Sequence, residues 1–281
     1  MRAVSARRRL GHALGPFRAI HDALVAADVP WEALTADAVP AGVRDVVRAH
    51  WAYRVETEYR SIQVMTRFLA EVLAAGDPLE VYAGAADAIA DEVRHTALCL
   101  GVAERLGVVP LLPDPVELLD PPGFAALPAA QRALGTAVSM LVVSETISVA
   151  LIEDLRRRAT HPTVRAVLER TLRDEDAHDD FGWAYLEASL ARFGDDGRGY
   201  ARVVAETTLA PHLGEIEAMR AALPRELQHL ERWPEPELAA FGVMGRERQA
   251  LVKRAVIAER LAPRLAALGL GPGLARDAAL R

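Results

Sequence analysis

The sequence predicts an all-α chain whose centre is a four-helix bundle made of two hairpins joined by one long crossover. Three observations lead there. Alanine, leucine, arginine and valine dominate the 281 residues, and β-branched runs bounded by turns are scarce. Apolar residues recur at helical spacing over four long stretches. The breaks between those stretches run short, long, short, which is the connectivity of a bundle with a single crossover.

Residues 1–40 are loosely patterned and predict one short helix around Pro16–Ala27. The basic run "SARRRL" at 5–10 reads as a frayed, solvated terminus. The first long helix begins after Pro40 and runs to about Ala75. Gly76 stops it, and Pro78 opens the first turn of a second helix that reaches Gly107. Residues 107–128 carry six prolines and cannot form a long helix. A third helix covers Ala129–Arg158, "THP" at 160–162 breaks it, and a fourth runs from Pro162 to about Phe193. Beyond "GDDG" at 194–197 come further helical patterns, one interrupted by Pro211 and another running from about Pro236 to Gly269. "GPG" then leads into a terminal tail. The expected organisation is an extension over 1–40, the bundle over 41–194, and helices packed on it over 195–281.

Composition excludes several classes. A formal charge of −6 argues against a nucleic-acid binder, which would present a basic face. A single cysteine, Cys99, excludes an internal disulfide framework, a four-cysteine zinc site and a cysteine-ligated iron–sulfur cluster. No apolar run is expected to approach the roughly 18–20 residues of a membrane span, and the first twenty residues lack an apolar core followed by a cleavage site. The expectation is a cytoplasmic protein with no membrane association.

The chemistry lies in two echoing stretches, "DEVRHTALC" at 91–99 and "DEDAH" at 174–178. Glu92 and His95 are three residues apart and share a helix face with Ala85, Ile89, Cys99, Val102 and Leu106. Glu175 and His178 share theirs with Val164, Leu168, Leu172 and Gly182. Both are core stripes, where an unpaired carboxylate is rare. The other two helices each offer one inward acid. Glu145 is the only acid of "MLVVSETISVALI", with Val138, Leu141, Val142, Val149 and Ile152 on its face. Glu58 lies among Trp51, Val55, Ile62, Met65 and Leu69, whereas Glu56 lies among Arg60, Gln63 and Arg67 and points outward. Four carboxylates and two imidazoles so arranged are the ligand set of a carboxylate-bridged dimetal site. Such oxygen-rich coordination suits iron or manganese better than zinc or copper.

A lone Glu-x-x-His means little. A third copy, Glu226 to His229, lies between Pro224 and "WPEP" on no apolar stripe and reads as a solvated surface pair. Asp91 and Asp174 each precede a ligand Glu and so project about 100° round the helix from it. From there each reaches the facing hairpin, which predicts a crossed arrangement: Asp91 to His178 and Asp174 to His95.

Glu58, "DEVRH", Glu145 and "DEDAH" together resemble the ferritin-like diiron carboxylate superfamily. "DEVRHT" is most similar to the hydroxylases of bacterial multicomponent monooxygenases. "ETEYRSIQVMTRF" and the segment from "SETISVALIEDL" to "DEDAH" resemble bacterial ferritin-like domain proteins without assigned function. The resemblance covers residues 45–193. It implies two irons held by Glu58, Glu92, His95, Glu145, Glu175 and His178, with dioxygen as co-substrate and a small organic substrate oxidised in an adjacent pocket. Where many relatives carry x-Arg, the second motif has Asp176-Ala177, so Arg94 is left as the buried structural arginine. Val149 stands where some oxygenases place a threonine, leaving Thr146 and Ser148 as candidate pocket hydroxyls. Cys99, one turn past His95, is either a pocket residue or a small buried hydrophobe.

The expected function is oxidation of a small molecule by hydroxylation, desaturation, N-oxidation or C–C cleavage. With no flavin or nicotinamide fingerprint, any further electrons come from a separate reductase or from the substrate. Iron storage or detoxification is the alternative. The proline-rich crossover and the extra C-terminal helices suit a monomer or homodimer better than a cage subunit.

Overall fold

The computed structural model describes residues 6–11, 15–25, 28–114 and 123–271. Over these the chain is almost wholly helical. Helix α1 spans Arg18–Val25, α2 Arg44–Ala75 and α3 Leu79–Arg105. Gly76 ends α2 in the left-handed conformation (φ 71°), where a side chain would be strained. Its neighbour closes the cap by donating Asp77 N–H to the Val72 carbonyl at 3.2 Å. The turn is then tied to a later part of the chain, because the Asp77 carboxylate accepts from Tyr185 Oη and Arg192 Nη1, each at 2.9 Å.

The crossover contains a feature the sequence did not suggest. Ala6–Arg9 (β1), expected to fray, pairs antiparallel with Leu111–Asp114 (β2), Ala6 opposite Asp114 and Arg9 opposite Leu111. An extended, proline-bearing segment cannot satisfy its own backbone groups, and a second strand satisfies them. With only two strands both are edges, so Pro113 is tolerated. Residues 115–122 of the expected crossover, and the terminal tail from 272, lie outside the described residues.

The third long helix is in three parts: α4 (Ala129–Thr136), a π-helical segment Ala137–Ser144, and α5 (Glu145–Arg158). The wide segment ends where Glu145 N–H bonds to the Met140 carbonyl and Ser144 Oγ to that of Ser139, both five residues back. This is also the one helix among the described residues long and apolar enough to cross a membrane. This corrects the expectation that no apolar run approaches that length, because the few polar residues of the run, such as Ser139 and Glu145, do not offset its apolar ones. Of its most apolar window 72% is buried inside the protein, as in a core helix.

Helix α6 spans Pro162–Ala222 and consists of two helical runs. They meet at a kink at Gly194, whose non-helical backbone (φ 59°, ψ −138°) ends the first run beside the predicted end near Phe193. Pro211 does not interrupt the second run, and only Gly194 departs from helical angles. The predicted Pro236–Gly269 helix is instead split into α7 (Pro236–Ala240), α8 (Arg246–Val256), a π segment Ile257–Leu261 and α9 (Ala262–Ala267). The break falls at Gly242 (φ 70°), where the Phe241 carbonyl leaves the helix to accept Trp51 Nε1 at 2.9 Å.

Helix α2 packs along α3, α5 along α6, and the pairs meet through α3 with α6 and α2 with α4. One apolar core joins the π segment and α5 to α6, α8 and α9 through Val142, Trp183, Leu209, Val256 and Leu265. A buried ion pair pins the C-terminal helices down. Asp154 on α5 accepts Arg248 on α8 in fork geometry, at 2.8 Å from Nε and 2.7 Å from Nη2, and Arg158 Nε at 2.9 Å.

Candidate metal centre

The acids and histidines of the two echoing motifs meet in the interior. Glu92, His95, Glu145, Glu175 and His178 each expose 3% or less of their surface. Glu58 joins them with 12% of its side chain exposed, while Glu56 is turned outward at 26% and pairs with Arg60 at 3.2 Å. Two groups of donors form. Ligand atoms of Glu58, Glu92 and His95 lie within 4.8 Å of one another, and so do those of Glu92, Glu175 and His178. Glu92 is common to both. Glu145 feels the negative charge of Glu175 more than that of any other acid. Glu226 and His229 are exposed, far from this cluster in character.

The two histidines present the same ring nitrogen to the acids. Nδ1 of His178 is 3.2 Å from Glu175 Oε2, and Nδ1 of His95 is 3.4 Å from Glu175 Oε1 and 3.7 Å from Glu92 Oε2. Their outer nitrogens cross between hairpins: His178 Nε2 to Asp91 Oδ2 at 3.2 Å, and His95 Nε2 to Asp174 Oδ2 at 3.3 Å. A carboxylate on Nε2 places the proton there and leaves the Nδ1 lone pair facing inward. Arg94 Nη1 then joins the two aspartates, bonding to Asp91 Oδ1 and, at 2.7 Å, to Asp174 Oδ2. With Arg94 and His95 beside it, Asp174 is held down at about 2 against the opposing effect of burial.

The electrostatics describe a cluster short of positive charge. Burial first, then Glu175 and Glu58, push Glu92 up to about 7 against the pull of His95. Burial and the charges of Glu175, Glu92 and Glu58 push Glu145 well above the usual carboxylate range. Burial opposes charge on both imidazoles, yet His95 is raised by Asp174, Glu92 and Glu175, and His178 by Glu175 and Glu92. Glu175 is the exception, held down by His178 and His95 against the effect of burial. Within the cluster Glu92 Oε2 and His95 Nδ1 are buried and make no hydrogen bond, although they lie 3.7 Å from each other. An unsatisfied buried acceptor is costly, and both belong to the donor groups above. The donor set, with its orphaned inward atoms, fits metal cations that would displace the protons.

Several neighbours were not foreseen. Arg54 Nη2 donates to Glu58 Oε1 at 2.7 Å, and Cys99 Sγ lies 3.9 Å from the same oxygen. Cys99 is therefore both a fully buried hydrophobe and a neighbour of the donor cluster. Burial pushes its thiol up to about 12. Thr146 Oγ1 donates to Asp179 Oδ1 at 2.8 Å, which also accepts Trp183 Nε1 at 3.1 Å, so this hydroxyl is engaged beside the site. Ser148 is half-buried one turn further along the chain from Glu145. Glu71 is a buried acid the sequence reading missed. It accepts Thr136 Oγ1 at 2.7 Å, just before the π segment, and its place among Phe68 and Val72 was the available signal. A surface cleft lined by Arg156, Arg173 and Arg260 includes none of the candidate ligands.

Compared with protein-family models, curated proteins and solved structures, the chain matches none. The assignment of this site therefore rests on its own residues.

Proposed function

We propose that α2, α3, α4–α5 and the first part of α6 form a ferritin-like four-helix bundle around a dimetal centre, and that the protein is a non-haem diiron oxygenase or oxidase. The observation that carries this reading is the crossed pair of histidines. Each turns Nδ1 into a cluster of buried glutamates and is held from behind by an aspartate of the opposite hairpin. A metal-binding histidine needs that second partner to fix its tautomer and direction.

In this reading Glu58, Glu145, Glu175 and the shared Glu92 supply the oxygen ligands, and His95 and His178 one nitrogen each. When bound there, two ferrous ions would supply electrons for the reduction of dioxygen, with manganese as the alternative metal. Asp91 and Asp174 keep protons on the Nε2 atoms, and Arg94 offsets their charge. Buried apolar residues one turn away, Val55, Ala88, Leu141 and Val149, keep bulk water from the acids. The organic substrate is a small molecule, any additional electrons come from a reductase or the substrate, and nucleic acid is not a partner.

Metal analysis of the purified chain, followed by anaerobic Fe(II) loading and measurement of dioxygen uptake, tests the proposal. About two metals per chain and rapid uptake are expected. Fewer than about one metal per chain overturns it.

A further inference from the structure

The two halves of the site differ in what stands beside them. Four residues before Glu58 is Arg54, and four after His95 is Cys99. The corresponding positions of the other half are Leu141, four before Glu145, and Gly182, four after His178. Arg54 is buried and bonds to Glu58 Oε1 at 2.7 Å. Its guanidinium lies 5.6 Å from the Trp51 ring centre, and its Nε, also shut off from solvent, has no hydrogen-bond partner. Leu141, by contrast, is fully buried and pressed against Gly182, where an added Cβ would fall 2.6 Å from the Leu141 Cβ and 2.7 Å from its carbonyl oxygen. Arg94 does not break the balance, because it touches Asp91 and Asp174 alike. One half therefore has a fixed guanidinium charge on a donor carboxylate, and the equivalent place in the other half is filled by hydrocarbon.

We infer that Arg54 makes the Glu58–Glu92–His95 position the weaker of two metal positions, so that the Glu145–Glu175–His178 side, sharing Glu92, fills first. This rests on the dimetal reading above. A dication at the first position must share Glu58 with Arg54 or displace it, and it sits beside a buried positive charge. The second position faces neither cost. Arg54 acts through Glu58, as a positioning residue that sets the order of loading.

The test is calorimetric titration of the metal-free full-length protein with Mn(II), with electron paramagnetic resonance at each equivalent. Two binding steps at least tenfold apart are expected. An isolated-Mn(II) spectrum should appear at the first equivalent and a coupled pair at the second. Glu58→Gln should remove the weak step and keep the tight one, while Glu145→Gln should weaken the tight step. Arg54→Met should tighten the weak step at least tenfold, and Arg54→Lys, which keeps the charge, should leave the separation in place. A single step of two equal sites, or loss of the tight step in Glu58→Gln, overturns the inference and leaves the dimetal reading standing. No Mn(II) binding overturns both. Should Arg54→Met fail to fold, the Glu58→Gln and Glu145→Gln titrations still decide which position is weaker.

Discussion

Asp91 on α3 lies 3.2 Å from the outer nitrogen of His178 on α6, although 87 residues separate them in the chain. Its counterpart Asp174 returns the contact to His95. Each hairpin thus orients a histidine of the other, and neither half of the cluster is complete alone. Asp91→Asn and Asp174→Asn keep the shape and remove the charge that holds the Nε2 proton. Each should weaken metal binding about 10- to 100-fold, read by competition with a chelator of known affinity. Unchanged affinity in both variants would remove these aspartates from the site.

Gly182 is the point of closest approach between α6 and the π segment before Glu145. A Cβ there would lie 2.6–2.9 Å from Leu141 backbone and side-chain atoms, too close for backbone to yield cheaply. Gly182→Ala should cost about 1–3 kcal/mol in urea unfolding and reduce metal affinity by shifting Glu145. Gly214, on the same helix, has nothing within 4 Å of its added Cβ. Gly214→Ala should therefore stabilise the protein, by up to about 1 kcal/mol. Equal effects at the two glycines would contradict this packing.

Asp154 holds Arg248 and Arg158 in a buried position on α5, and Arg248 Nη1 also donates to the Leu230 and Trp233 carbonyls at 2.6 and 3.0 Å. Asp154→Ala leaves those guanidinium groups uncompensated. A loss of about 3–5 kcal/mol is expected. Proteolysis should then open the segment between α6 and α8 before the rest of the chain. Uniform proteolytic resistance would show that the C-terminal helices dock without this pair.

His50 should make the protein sensitive to acid. Burial, and next the charge of Arg54, lower its imidazole from 6.5 to about 4. Between those values the unfolded chain binds the proton and the folded chain does not. The contribution to stability is therefore complete above about pH 6.5 and is lost as pH falls toward 4. Across that window the wild type should lose about 3 kcal/mol more than His50→Asn, measured by urea denaturation at each pH. Parallel pH profiles for the two proteins would refute this assignment.

The legible parts of this protein are the ones that local rules govern. Glu92 with His95 and Glu175 with His178 fall on core faces because 3.6 residues make a turn, and no partner is needed to know it. Gly76 ends α2 because only glycine takes a left-handed cap without strain. Glu58 and Glu145 could be chosen over Glu56 from the apolar residues three and four positions away. Local rules placed the break at Gly194 but misjudged Pro211, where α6 continues because Ala205, Leu209 and Ile216 around it are packed in the core. A propensity of about 1–3 kcal/mol yields to such burial.

By itself, then, the sequence determined an all-α chain and the inward facing of Glu58, Glu145 and the two Glu-x-x-His pairs, since both follow from period and capping within a few residues. Tertiary structure alone decided the pairing of β1 with β2, the π turn before Glu145, the lock between Asp154 and Arg248, and the placing of Arg54 on Glu58 beside Cys99. The strand pairing and the Asp154–Arg248 lock depend on groups brought together from distant parts of the chain. The π turn and the Arg54–Glu58 pair are local in sequence. Yet backbone register and side-chain rotamer there are chosen by what packs against them, Gly182 in one case and Trp51 and Cys99 in the other.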